Sequence, residues 1–432
     1  MAGPSFLQAA ELRRSGVVNL LGDLIRIPSM SAYEGEVVAR LREEMEVLGY
    51  DEVWVDEFGS IIGRIGNGPV RIVYDSHIDT VDIGARSEWS RDPFEPYTAG
   101  NIMYGRGASD DKAGMAAMVY GGALYQHMGL TDDVTLYVVG SVQEEDCDGL
   151  ALEHVLTETL PRPDLVVLGE ATDCQVFRGN RGRVEALVRM RGSSCHGSMP
   201  HVGMNPTYDL GRVLTDIESL NDRLGWDDFL GSGTIAVTKI ECETPSLNAV
   251  PSTATLYVDR RLTAGEDPDR AMAELMDLPS VKAVNGEVEL LHYERTSFTG
   301  MTLGMPKQYS TWVTPEDHVS VSTAVSVGEA ALGRTPDIGH WVFSTNGVAS
   351  MGKLGIPTIG FGPADEVHAH TVHDQCELDG LVDSMAWYAA FPRSYAEQIR
   401  TAEQTEDLAP VEERRTTWES ADRGPTSEDL AT

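Results

Sequence analysis

Apolar residues recur along this chain at two spacings, and each spacing predicts a different element. Residues 6–27 read as helix and stop before Pro28; Tyr33 to Leu48 repeats Val37, Val38, Leu41, Met45 and Leu48 at helical spacing. Short strands are predicted at Glu52 to Val55 and Ser60 to Ile65, followed by an apolar strand, Val70 to Tyr74, that ends in DSHIDT. Ala113 to Met128 returns to helical spacing, with Gly129 as the stop. Val134 to Val142 (VTLYVVGSV) is a buried-strand run that empties into Gln143, Glu144, Glu145 and Asp146, and Leu165 to Leu168 ends in Gly169 and Glu170. Continuous apolar runs of this length predict strands buried on both faces, as in an open, mostly parallel α/β sheet. Such sheets bind ligands outside the carboxyl ends of their strands, which is where these acids and His77 fall.

The pattern changes near Arg181. Strand (Arg183 to Met190), helix (Pro206 to Leu220), two strands (Gly233 to Ile240 and Ala254 to Arg261), helix (Pro268 to Met276) and strand (Glu287 to Tyr293) follow in turn. This β-α-β-β-α-β order predicts a ferredoxin-like α+β domain inserted into the first. Afterwards a helix at Val319 to Leu332, a strand at Thr358 to Phe361 and a helix at Leu378 to Phe391 resume the α/β pattern. The predicted division is a catalytic domain in two parts, 1–180 and 297–393, an inserted lid or dimerisation domain, 181–296, and an acidic, disordered tail, 394–432.

Composition narrows the setting. Sixty-eight acids oppose 33 bases, a formal charge of −35, and the lysines are only Lys112, Lys239, Lys282, Lys307 and Lys353. Nucleic acid and anionic membrane surfaces are excluded as partners, because like charge repels them. An acidic surface poor in lysine is expected of a halophilic protein, whose self-repulsion salt screens; an acidic mesophilic protein is the alternative. No stretch is apolar enough to span a membrane, and MAGPSFLQAAELRRSG lacks the features of a leader, so a cytoplasmic location is expected. The five cysteines form no C-x-x-C pair and are expected to be reduced packing residues.

Five polar clusters stand out against this background: H-x-D at His77 and Asp79, D-D-K inside GRGASDDKAG at Asp110, E-E at Glu144 and Glu145, G-E at Glu170, and H-x-H-x-x-H at His368, His370 and His373. Any one alone is an ordinary turn. Together, imidazoles and carboxylates delivered by buried strands are the donors that zinc prefers, and one carboxylate with two oxygens can bridge two ions.

The order of the five clusters resembles the co-catalytic zinc metallohydrolases that include aminoacylase, acetylornithine deacetylase, succinyl-diaminopimelate desuccinylase and the glutamate carboxypeptidases. The likeness spans residues 5 to about 392. It implies two Zn²⁺ per chain, with Co²⁺ or Mn²⁺ as possible substitutes: His77, Asp110 and Glu170 on one ion, and Asp110, Glu145 and His370 on the other. His368 and His373 would line the mouth or face solvent. It also implies that Glu144 is the general base for a metal-activated water and that Asp79 holds the His77 ring. In GSSCHGSMPHVGMNP, His196 matches a histidine that stabilises the oxyanion in a neighbouring subunit, which implies a homodimer through the inserted domain. Asn248 and Arg261 match substrate-carboxylate ligands. Where many relatives carry a glycine-threonine-aspartate loop, this chain has Phe343 to Gly347, with Asn346 as a candidate substrate ligand. The expected reaction is hydrolysis of the amide or ureido bond of a small N-acyl or N-carbamoyl amino acid. A dipeptidase or carboxypeptidase and a catalytically inactive metal-binding relative are the alternatives.

Overall fold

The structure, a computed structural model, describes residues 5–404. Three N-terminal helices, α1 (Phe6–Glu11), α2 (Arg14–Arg26) and α3 (Gly35–Leu48), lead into strands β1 (Glu52–Val55), β2 (Ile61–Ile65) and β3 (Val70–His77). Helix α4 (Lys112–His127), then β4 (Val134–Ser141), β5 (Leu165–Leu168) and β6 (Val176–Asn180) complete the first half of the large domain. β3 lies between β4 and β5 with all three parallel, and every residue of β4 and β5 is buried. Burial on both faces is why these strands are apolar along most of their length instead of alternating. Antiparallel β1 and β2 close one edge of the sheet.

The inserted domain contains β7 (Gly182–Arg191), α5 (Pro206–Asn221), β8 (Thr234–Glu243), β9 (Thr253–Leu262), α6 (Pro268–Met276) and β10 (Glu287–Leu290). Its sheet order, β8-β9-β7-β10, is antiparallel throughout, as the ferredoxin-like reading requires. The insert has its own apolar core, built from Val184, Val188, Val213, Leu256 and Leu275 among others and separate from that of the large sheet.

The expected strand from Glu287 to Tyr293 is divided in the fold. At Leu291 the chain leaves the inserted sheet and forms a two-stranded ribbon, β11 (His292–Thr296) with β12 (Thr302–Pro306). Strands β13 (Trp312–Val313), β14 (Ile338–Trp341) and β15 (Thr358–Gly360), with helix α7 (Val319–Leu332), then rejoin the large sheet. Helix α8 runs from Leu378 to Gln404, so residues 394–404 are helical rather than part of a tail. Tyr395, Ala396 and Ile399 are buried among charged neighbours, and that apolar face continues the stack Phe361–Trp387–Phe391. The remainder of the predicted tail, 405–432, lies outside the described residues. Among those residues, no helix is long and apolar enough to cross a membrane.

Candidate metal centre

Each cluster sits where a buried element ends. β3 terminates at His77, β4 delivers Glu144 and Glu145, β5 delivers Glu170, and Asp110 precedes the first turn of α4. The GRGASDDKAG loop is shaped by a distant carboxylate: Asp374 accepts from the Gly107 and Ser109 amides at 2.7 and 2.8 Å and from Arg106 Nη1 at 3.0 Å. Asp111 accepts from Ser76 Oγ at 2.6 Å, tying the loop to β3, while Lys112 caps the carbonyls of Leu24 and Ile27 at the end of α2. Gly114 leaves no room for a side chain, since a Cβ there would lie 2.4 Å from the Gly169 carbonyl oxygen.

Asp110 stands between two imidazoles. Its Oδ1 is 2.8 Å from His77 Nε2 and its Oδ2 is 3.1 Å from His370 Nε2. His370 Nε2 also lies 2.9 Å from Glu145 Oε2, and His77 Nε2 lies 3.7 Å from Glu170 Oε1 and 4.0 Å from Glu144 Oε2. The other ring nitrogen of His77 faces the Asp79 carbonyl at 3.1 Å and the Asp79 carboxylate at 3.4 Å. Two groups of donors, His77–Glu144–Glu170 and His77–Asp110–Glu145, are close enough for each to surround one ion. By distance alone Glu144 is as good a donor as Glu170.

Electrostatics point the same way. Burial, opposed by His77 and reinforced by neighbouring carboxylates, pushes Glu144 and Glu170 well above the usual carboxylate range and Glu145 up to about 7. Burial also pushes Asp110 up, but His370 and His77 outweigh it and bring the carboxyl below its ordinary value. Hydrogen bonds to Asp110 and Glu145 raise His370 to about 10. Four carboxylates gathered around two imidazoles are short of positive charge, and divalent ions supply it. The donor set therefore fits metal.

The centre floors a cleft of ≈260 Å³ whose walls include Arg183, Arg261, Phe343, Ser344 and Glu366. A larger groove of ≈900 Å³ lies between β1 and the β11–β12 ribbon, and neither donor group lines it. Arg261 is paired with Asp259 at 2.7 Å and keeps Nη1 without a hydrogen-bond partner. Arg183, which sequence reasoning passed over, is held by Asp148 at 2.6 Å, and Asp148 also accepts from Ser344. The signal for this contact was slight: an acid just beyond the EED run and an arginine at the start of an alternating strand.

The other expected site residues lie elsewhere. His196 and Asn248 are joined across an exposed loop of the inserted domain by the His196–Ala249 bridge, and neither lines the cleft of its own chain. Asn346 is corrected: it is buried, donates to Asp75 at 2.8 Å and Ser141 at 2.9 Å, and accepts from the Gly149 amide at 2.7 Å. Both of its N–H groups are committed to the interior of the sheet, and it does not line the cleft. His373 is exposed, and His368 contacts Gln375. Cys147, Cys174 and Cys376 are buried, Cys195 is partly buried and Cys242 is exposed, all unpaired.

Buried acid concentrated around imidazole at the carboxyl edge of an α/β sheet places the protein among the metal-dependent hydrolases that act on C–N bonds. The chain belongs to peptidase family M20/M25/M40, whose pattern matches residues 73–394. It is 43% identical to the Uncharacterized protein YgeY of Escherichia coli (strain K12), over 90% of this chain and 96% of that protein. It is 27% identical to a succinyl-diaminopimelate desuccinylase of Dinoroseobacter shibae, over 88% of this chain and 98% of the relative. In fold it is similar to the M20 family metallo-carboxypeptidase Sso-CP2 from Sulfolobus solfataricus, with TM-score 0.70, 18% identity, and 88% and 99% of the two chains covered.

Proposed function

We propose that this hydrolase cleaves the amide or ureido bond of a small N-acyl or N-carbamoyl amino acid with the help of two divalent ions, Zn²⁺ first among them and Co²⁺ or Mn²⁺ as substitutes. His77, Asp110 and Glu170 would hold one ion, and Asp110, Glu145 and His370 the other. The observation that carries this reading is the position of Asp110, one carboxylate oxygen toward each imidazole. Such ions, when bound, acidify water and polarise a carbonyl oxygen.

The residues of the chain supply the rest. Glu144, with Oε2 4.0 Å from His77 Nε2, opens onto the cleft and takes the proton of the attacking water before delivering it to the departing nitrogen. Asp79 fixes the His77 ring through its Nδ1. Arg261, with one N–H free at the cleft wall, receives the substrate carboxylate. Met199, Val202, Met204 and Tyr208 are exposed on the inserted domain beside His196, which supports a homodimer in which His196 of the partner subunit approaches this cleft and stabilises the oxyanion. Asn248 of the partner subunit would arrive on the same loop.

Metal content by mass spectrometry, paired with a panel of N-acetyl, N-succinyl and N-carbamoyl amino acids and dipeptides, tests this reading. About two ions per wild-type chain are expected, with loss of metal in Asp110→Ala and full metal without turnover in Glu144→Gln. Full metal and full rate in Asp110→Ala would refute the allocation. Preference for dipeptides would make the protein a peptidase, and metal-loaded protein inert on the whole panel would make it an inactive relative.

A further inference from the structure

The turn that carries Glu144 and Glu145 begins at Gln143, a buried residue with left-handed backbone, φ 56°. Few residues other than glycine or asparagine adopt that conformation without support from their surroundings. Support reaches this turn from two sides. From within, Glu34 Oε1 accepts the Gln143 amide at 3.0 Å, and the two oxygens of Asp79 accept the amides of Glu144 and Glu145, each at 3.1 Å. From outside, the Tyr293 hydroxyl donates to Gln143 Oε1 at 2.7 Å, while Arg295 Nη1 reaches Asp146 at 2.5 Å. Among the described residues Tyr293 is the one hydrogen-bond partner of the Gln143 side chain, whose amide nitrogen is buried without a partner.

Tyr293 is a fixed post. It stands on β11, and the ribbon is anchored independently of the turn at both ends. At its root the Leu291 amide donates to the Glu185 carbonyl of β7 at 2.9 Å, and the Lys307 carbonyl accepts from the Glu185 amide at 3.0 Å. At its tip Thr299 Oγ1 donates to the Glu57 carbonyl at 2.7 Å. Arg295 and Asp146 are each more than one-third exposed, so their ion pair is screened and contributes less than the half-buried Tyr293 contact.

We infer that Tyr293 is a positioning residue for the proposed base: acting through Gln143, it sets the direction in which the Glu144–Glu145 turn presents its carboxylates. This rests on the assignment of Glu144 made above. It also makes the ribbon that follows the inserted domain a mechanical part of the active site.

The test is a double-mutant cycle on the metal-loaded protein with Tyr293→Phe, Gln143→Ala and the pair. Tyr293→Phe should lower kcat about tenfold, the equivalent of one hydrogen bond in the transition state, with KM and metal stoichiometry within about twofold of wild type. The double variant should lose no more than the worse single, because both changes break the same contact. A readout independent of turnover is amide hydrogen exchange across residues 142–147, which should quicken in both single variants while the rest of β4 stays protected. Losses in kcat that multiply, or unchanged kcat together with unchanged exchange, would overturn the assignment. If wild-type protein has metal but turns over nothing, the proposed function fails, and the exchange measurement alone decides whether Tyr293 holds the turn.

Discussion

Gly114 and Gly211 both lie inside helices, α4 and α5, and replacing each with alanine should have opposite effects. Removing a helical glycine gains about 1 kcal/mol from backbone entropy wherever the methyl group has room. At Gly211 nothing lies within 4 Å of the new Cβ, and the position is exposed, so Gly211→Ala should stabilise by roughly 0.5–1 kcal/mol. At Gly114 the Cβ would stand 2.3 Å from Asp111 Oδ1 and 2.4 Å from the Gly169 carbonyl oxygen. The Gly169 carbonyl belongs to backbone just beyond β5 and cannot swing away as a flexible side chain would. It must recede by roughly half an ångström to reach even the closest approach that real Cβ atoms tolerate, and overpacking of this kind costs about 1–3 kcal/mol. The net effect should be destabilising by up to about 2 kcal/mol. The displacement falls on the peptides next to Asp110 and Glu170, and a site misplaced by about half an ångström loses function out of proportion to stability. Urea denaturation of the two variants beside wild type, together with metal content and kcat/KM, reads all of this. Gly114→Ala that is more stable than wild type and fully loaded with metal would refute the close packing of α4 against the β5 terminus.

Two further outcomes follow from the same structure. Asn346→Ala should cost about 2–4 kcal/mol, since three hydrogen bonds vanish and Asp75 is left buried without the donor, while KM for any turned-over substrate stays within about twofold; a tenfold rise in KM at unchanged stability would restore Asn346 as a substrate ligand. With a formal charge of −35, the folded state repels itself, so the denaturation midpoint should climb between about 0.1 and 2 M KCl as the screening length shrinks from roughly 10 Å to a few ångströms; a midpoint that is flat or falls with KCl would remove the halophilic reading.

Much of the architecture was legible because burial writes itself into pattern. β3, β4 and β5 are covered on both faces, so they appear as apolar-rich stretches with few polar interruptions, and the acids that follow them fall at the carboxyl edge as a matter of connectivity. The six elements of the insert were equally plain, because strands with one buried face alternate and helices repeat at their own period. Charge hid the rest. The end of α8 was lost because Tyr395, Ala396 and Ile399 are scattered among polar residues, and only the neighbouring aromatic stack shows which face is buried. The break at Leu291 has no local signal, since strand pattern continues through it while the pairing partner changes.

The sequence by itself determined which side chains reach the carboxyl ends of the central strands, because that depends only on where apolar runs stop. Tertiary structure decided what each polar residue does once there. Asn346 looked like a substrate ligand and is instead a tie among Asp75, Ser141 and Gly149; Tyr293 and Glu34 looked unremarkable and converge on Gln143 from elements far apart in sequence. A hydrogen bond requires a partner at about 3 Å, and no spacing along the chain records which distant residue folding brings to that distance.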